Sequence, residues 1–287
     1  MPSKQMQVEK LRFSQATTTR LPTNKIRKGV AAAIALAVLL LGGIAPLHPA
    51  QSETLRLVTG TDYAPYTSPT LPKGGVITET VQAVLHEAGY DTTLHYYPWK
   101  RGFQRVVTGS SDVTFPYAKN DERDKFVLFS RPINNITVHV FYNRGNPVSF
   151  TRPEDLSGLT YCEPLGYQTE PTLRALIRTG DVFRAEAQTM DNCFQLLAQG
   201  HVDFVVTNDL VAGATGRRVL GAHASETIGR IEKPINESRE YLIVSRKNPH
   251  AEEIIRRFNE SYRRLYERGV IQAIWRRHLG DVIAPPS

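Results

Sequence analysis

Arg123 stands in the run Asn120-Asp-Glu-Arg123-Asp124, where a permanently charged, planar guanidinium could hold an anion through two parallel hydrogen bonds. The same arginine, between Glu122 and Asp124, could equally be a solvated salt-bridge partner on a helix face. A second stretch, Leu165-Gly-Tyr-Gln-Thr169, lies between an expected strand and an expected helix. Its backbone N–H groups, with a helix dipole behind them, could face an anion, and Gly166 permits close approach. Such turns also occur in any α/β fold. Trp99 and Tyr117 fall at element boundaries beside Lys100, Arg101 and Lys119, which suits cleft walls, whereas Phe115 on a strand tip reads as packing.

Other chemistry lacks a motif. The eight histidines show no metal-ligand spacing, and neither a Ser-His-Asp order nor a phosphate loop occurs, so neither a metal nor a cofactor is expected. A general acid would need a carboxyl raised by burial; Glu163, Glu170 and Asp209 are the candidates that fall near the expected cleft, none of them in a distinctive motif. Cys162 and Cys193, 31 residues apart, are either joined or two buried thiols. In an oxidising compartment the bridge is favoured.

These residues are positioned by alternating strands and helices. Thr54–Thr59 reads as a strand, and Ile77, Val81, Val84, Leu85 and Ala88 form one face of a helix ended by Gly89. A strand at 92–97, a helix at 99–108 and a strand at 112–115 follow, then a strand at 136–142 and the turn-rich Asn143-Arg-Gly-Asn-Pro147. The second series has strands at 159–162, 183–187, 202–207 and 241–245 and helices at 169–177 and 191–199. A long amphipathic helix with Ile254, Ile255, Phe258, Tyr262 and Leu265 on one stripe, and a shorter one at 270–278, close the chain. Strands joined by helices imply parallel pairing and an α/β fold. Two lobes are expected, residues 51–142 with 238–287 and residues 143–237, with crossings near 141–147 and 234–241 and a cleft at the strands' carboxyl ends.

Residues 1–50 have a different character. Seven Lys and Arg precede an apolar stretch from Gly29 to Ile44, the layout of an export signal, and this core is short for the roughly 20 residues of a membrane span. The leader is expected to be removed, with an uncleaved anchor as the other reading. The cut site is indistinct, because His48 stands where a small residue is preferred before Ala50. The leader holds most of the chain's excess charge: residues 51–287 carry 28 basic and 27 acidic side chains. That near-neutral remainder takes away the compositional support for a nucleic-acid role, which needs a basic patch in the folded part, and no nucleic-acid partner is expected.

The leader, "TGTDYAPYT", "YYPWKRGFQRVVTGSSDVTFPYAKNDERDKFVLFSRPI", "LSGLTYCEPLGYQ", "CFQLLAQGHVDFVV" and "FNESYRRLYERGVIQAIWRRHLG", in that order, resemble the extracellular solute-binding proteins of family 3. The resemblance implies a two-lobe periplasmic binding protein fold of type II. It further implies a periplasmic monomer that captures a small polar or anionic solute, an amino acid or a related compound, for the permease of an ABC importer in the inner membrane. By resemblance Arg123 pairs with the solute carboxylate, and Gly166, Tyr167 and Gln168 complete that site. Tyr63 and Tyr66 match the aromatic loop that covers the solute, with Trp99, Tyr117 and Lys119 beside them.

One departure stands out. Where relatives hold the solute ammonium with an Asp after a "VDAVV"-like strand, this chain has Asn208, followed by Asp209. Either Asp209 takes over, or the solute is more anionic or not an amino acid. Because some relatives are dehydratases, an enzyme of that kind is the alternative function.

Overall fold

The computed structural model describes residues 53–287, so the expected leader lies outside the described residues. In chain order the elements begin with β1 (Glu53–Thr59), α1 (Val76–Glu87), β2 (Tyr90–Tyr96), α2 (Trp99–Val107), β3 (Val113–Ala118), α3 (Asp121–Asp124) and β4 (Val127–Asn143). They continue with β5 (Thr160–Pro164), α4 (Pro171–Thr179), β6 (Phe183–Ala187), α5 (Met190–Ala198), β7 (Phe204–Asn208), α6 (Asp209–Leu220), α7 (Ala224–Thr227) and β8 (Ile228–Arg230). The last are β9 (Asn236–Ser245), α8 (Ala251–Glu267) and α9 (Val270–Leu279).

The apolar spacing accounts for the helices. Ile77, Val81, Val84 and Leu85 are all buried, and Gly89 follows α1 with a φ of 83°, a conformation glycine adopts without cost. On α8 the residues Ile254, Phe258, Tyr262 and Leu265 are buried on one stripe, while Glu253, Arg256 and Glu260 form ion pairs along the outer face.

The strands run β2-β1-β3-β9-β4-β7-β5-β6, with β8 attached to β4. Pairing is parallel within each half, β1 with β2 and β3, and β5 with β6 and β7. The helix-joined strands are thus parallel as expected, while the two strands in the middle, β9 and β4, run antiparallel to their neighbours and make the sheet mixed. The reason is that β4 and β9 are the crossovers. β4 pairs with β9 through Val138, and Val138 is also the first residue of β4 to pair with β7, opposite Asn208. One strand thus passes from one lobe to the other without a turn. Its first half, Val127–Asn135, carries Arg131, Pro132 and two asparagines, which hide a strand from a reading based on apolar alternation.

The two cysteines are fully buried and form a disulfide with an S–S distance of 2.04 Å, tying β5 to α5. Among the described residues no helix is long and apolar enough to cross a membrane, and no group of His, Cys, Asp and Glu is placed to hold a metal ion.

Candidate functional site

Trp99 opens α2 directly after Pro98, whose fixed φ suits a helix start, and its indole lies against the backbone of Gly60. A Cβ at Gly60 would stand 2.1 Å from the indole, so only glycine leaves room there. The indole N–H donates to Asp62 Oδ1 at 2.8 Å, and the Trp99 carbonyl accepts from the Tyr117 hydroxyl at 2.9 Å. Tyr63, Tyr117 and Tyr167 meet the Trp99 ring edge-on, with centroids 5.8, 5.6 and 6.0 Å away. Edge-to-face pairs of this kind hold ring orientations that a single aromatic would not keep. These rings wall a cavity of about 80 Å³ between the two halves of the sheet.

Arg123 reaches this cavity because its short helix is fixed at its start. The Asn120 side chain accepts from the Arg123 backbone N–H at 2.8 Å, the usual work of an N-cap. The guanidinium then lies 5.0 Å from the Tyr117 ring centroid. It donates to the Ala118 carbonyl at 2.7 Å, to the Gly166 carbonyl at 3.2 Å and to Gln168 Oε1 at 3.4 Å. Among the described residues it forms no ion pair. Burial pulls its pKa below the ordinary value, with Tyr117, Glu240 and Glu122 acting in the opposite direction, and it remains a cation. Its acidic neighbour Asp124 faces outward, near Lys119 at 3.6 Å and Arg246 at 3.3 Å.

The other lobe closes against this wall. Gly166 has a φ of 88°, and a Cβ there would meet the Lys100 backbone nitrogen at 2.4 Å, so glycine is required by both conformation and space. Asn120 donates to Gln168 across the gap at 3.3 Å. Asp62 does the same work at the far side: its Oδ2 accepts from the backbone N–H of Met190, the first residue of α5, at 3.1 Å. A carboxylate at a helix N-terminus is favoured by the dipole, although burial pushes Asp62 above the usual carboxylate range.

The cavity is lined by eight of the expected residues: Tyr63, Trp99, Tyr117 and Arg123 from the first lobe, and Gly166, Tyr167, Gln168 and Asn208 from the second. Three others stand elsewhere. Lys119 is on the outer surface, its ammonium 5.4 Å from the Phe129 ring centroid, because it follows the inward Tyr117 by two residues just where β3 has ended. Tyr66 is buried behind Tyr63, at 5.1 Å between ring centroids. Asp209 is half-exposed on the first turn of α6 and pairs with Arg230 at 2.6 Å, so the suggestion that it replaces the missing acid is corrected. Asn208 itself is the N-cap of α6: its Oδ1 accepts from Val211 N–H at 3.1 Å and its Nδ2 donates to the Tyr63 hydroxyl at 3.2 Å. Arg101 leans on Tyr97 outside the cavity, and Phe115 is core.

Two carboxyls line the cavity as well. Glu170, weighed above as an acid, precedes α4, receives a hydrogen bond from the Asn236 amide and is raised by burial. Glu163 is buried beside Arg184 at 3.2 Å and is not in the lining. Glu240 was not singled out by sequence. It is 6% exposed on β9, accepts from the Tyr63 hydroxyl at 2.7 Å and from the Asn134 amide at 2.7 Å, and burial pushes it up to about 7. Strand alternation carried the signal: Leu242 and Val244 face the core, and Glu240 shares their side of β9.

A two-lobed mixed α/β sheet with a polar and aromatic cavity at the crossing defines a solute-binding protein of the type II architecture. The sequence profile of the bacterial extracellular solute-binding proteins, family 3, matches residues 55–281, and the chain belongs to that family. Among solved structures it is similar to an ancestral arginine-binding protein bound to arginine, at 21% identity and a TM-score of 0.68, over 79% of this chain and 98% of that one. A histidine kinase sensor domain with similarity to periplasmic binding proteins gives 21% identity and a TM-score of 0.69, over 82% and 99%. The amino-acid ABC transporter substrate-binding protein AbpA from Streptococcus pneumoniae, bound to L-arginine, gives 17% and 0.64, over 78% and 94%. At these identities the likeness speaks for the fold. No curated protein matches the chain.

Proposed function

We propose that the chain is a periplasmic receptor that captures a small polar, carboxylate-bearing solute, an amino acid or a close relative, and presents it to the permease of an ABC importer. One observation carries the reading: a guanidinium on the wall of an interlobe cavity, oriented by an N-cap and two aromatic rings, that meets no carboxylate among the described residues. Arginine in that setting is suited to a solute carboxylate, which it can grip with two hydrogen bonds. The lobe division that goes with this reading runs through Val138 and Asn236, slightly inside the divisions expected from turns at 142/143 and 237/238. The pairing of Val138 with both Asn236 and Asn208 supports it.

The test is a thermal-shift screen of residues 51–287 against amino acids, dicarboxylates, polyamines and sugar acids, since a solute that binds only the folded protein raises its melting temperature. A carboxylate-bearing hit supports the reading, and a response confined to solutes without a carboxylate refutes it. A dehydratase is favoured by one feature, Glu240 at about 7 in the cavity wall, which is the range a general acid needs. If the solute that binds is consumed on incubation, the enzyme reading replaces the receptor.

A further inference from the structure

Glu240 sits at the centre of the cavity's polar network, yet among the described residues it has no cationic partner within ion-pair distance. Its Oε1 accepts from Tyr63 and its Oε2 from Asn134, both neutral donors. An acid buried to 6% exposure with only neutral donors lacks the counter-charge that would hold it ionised. Asn134 adds a second observation. Its Nδ2 serves Glu240 while its Oδ1 is buried without a hydrogen-bond partner. Turned over, the same amide would present that oxygen to a protonated Glu240, so Asn134 can serve the acid in either charge state.

The position relative to Arg123 is the third observation. On the sheet Glu240 is the register partner of Ala118, and the Ala118 carbonyl is what the Arg123 guanidinium is anchored to. A cation and an acid therefore flank one residue of β3 and line one cavity without pairing to each other. Meanwhile Asn208, at the place where the sequence suggests an amine would be held, has both polar atoms engaged, by Val211 and by Tyr63. The Tyr63 hydroxyl that accepts from the Asn208 amide donates in turn to Glu240, so the acidic function lies one hydrogen bond further on, at the hinge strand.

We propose that Glu240 is the counter-charge for an ammonium group on the solute, and that seating this group expels the proton of Glu240 to solvent. Resting on the receptor reading, this narrows the solute to a small zwitterion, with Arg123 on its carboxylate and Glu240 on its ammonium. The exchange is balanced: the neutral carboxylic acid loses H⁺, and the carboxylate left behind pairs with the bound –NH₃⁺. The groups that face Glu240 leave it free to titrate. Tyr63 and Tyr66 from the β1–α1 loop and Tyr167 from the turn after β5 are all held above the ordinary tyrosine range by burial and stay neutral. Asn134 from β4 is uncharged, and Arg123 from α3 keeps its charge throughout and favours the ionised form.

Affinity should consequently level off above about pH 8 and fall as pH drops, about tenfold per unit well below the Glu240 value of about 7, with about half a proton released per solute at pH 7. The experiment is calorimetric titration of residues 51–287 with the common L-α-amino acids and with the matching α-hydroxy acids. It is run from pH 8 to pH 5 in phosphate and in Tris, whose different ionisation heats report proton release. The expected result is an amino acid bound with proton release and losing about fiftyfold in affinity from pH 7 to pH 5, while its hydroxy acid binds far more weakly at pH 8. Glu240→Gln should flatten the pH profile and bring the two solutes close together. Hydroxy acids that bind as tightly as amino acids, or affinity that rises as pH falls, leave the receptor intact and overturn the role of Glu240. Should neither series bind while Arg123→Ala also leaves every other carboxylate of the wider screen unaffected, the receptor reading itself fails and this inference with it. Proton release from the wild-type protein decides the matter even if Glu240→Gln does not fold.

Discussion

Removing the Arg123 guanidinium separates binding from folding, and the structure sets both magnitudes. Arg123→Ala deletes two charge-assisted donors to a solute carboxylate and leaves that carboxylate desolvated, a loss of about 3–4 kcal/mol, or several hundredfold in affinity. The fold loses less. The guanidinium's protein partners are the Ala118 and Gly166 carbonyls and Gln168 Oε1, and the last two belong to the facing lobe, where water can take over once the lobes part. Its burial is also unfavourable in itself, as the lowered pKa records. A net cost of about 1 kcal/mol or less follows, which for a domain of this size lowers the melting temperature by about 2–4 °C. Calorimetric titration and differential scanning calorimetry of the solute-free protein measure the two separately. Melting lowered by ten degrees or more would make Arg123 a structural residue, and binding left within a few fold of wild type would show that it does not hold the solute.

Glu240 makes a prediction about stability alone. A carboxyl at about 7 in the folded chain against 4.5 in the unfolded one binds more protons when folded between those values, so its contribution to stability is present below pH 4.5 and lost as pH rises through 7. Glu240→Gln should therefore gain stability on the wild type between pH 5 and pH 8, by roughly 3 kcal/mol in total, read by urea unfolding at each pH; a difference independent of pH contradicts the assignment. Asp62→Asn removes the charge from the start of α5 and one of two acceptors that hold Trp99 and Met190. Affinity should fall three- to tenfold with the order of preferred solutes unchanged, whereas a changed order would make Asp62 a direct contact. Replacing Cys162 and Cys193 together opens a cross-link spanning 31 residues and should cost about 3–4 kcal/mol in urea unfolding, with no further effect of reductant; equal stability with and without the bridge would contradict that.

Much of the fold was legible because its signals are local. The α1 and α8 stripes, the stop at Gly89 and the turn at Gly166 each follow from spacing or from a single residue's conformational freedom. The passage of β4 between lobes was not, since a strand that changes partners at Val138 leaves no turn residues to mark it. Nor was α6, whose Ala212, Gly213, Ala214 and Gly216 form too weak an apolar face to stand out. In the cavity, aromatic residues at element boundaries were legible and charged ones less so. Lys119 and Asp209 are next to lining residues in sequence, but the end of β3 and the first turn of α6 aim them at solvent. Glu240 could have been found from the alternation of β9, had an acid on the buried side been set against the missing one at 208.

The most direct measurement is of what the protein carries when it is made in a periplasm. The full chain, exported and purified without denaturant, is unfolded and its small molecules identified by mass spectrometry, with Arg123→Ala treated in parallel. A solute receptor anchored by Arg123 should yield a small carboxylate-bearing compound, close to one molecule per chain from the wild type and absent from the variant. A compound recovered equally from both proteins, or one without a carboxylate, would contradict that anchoring.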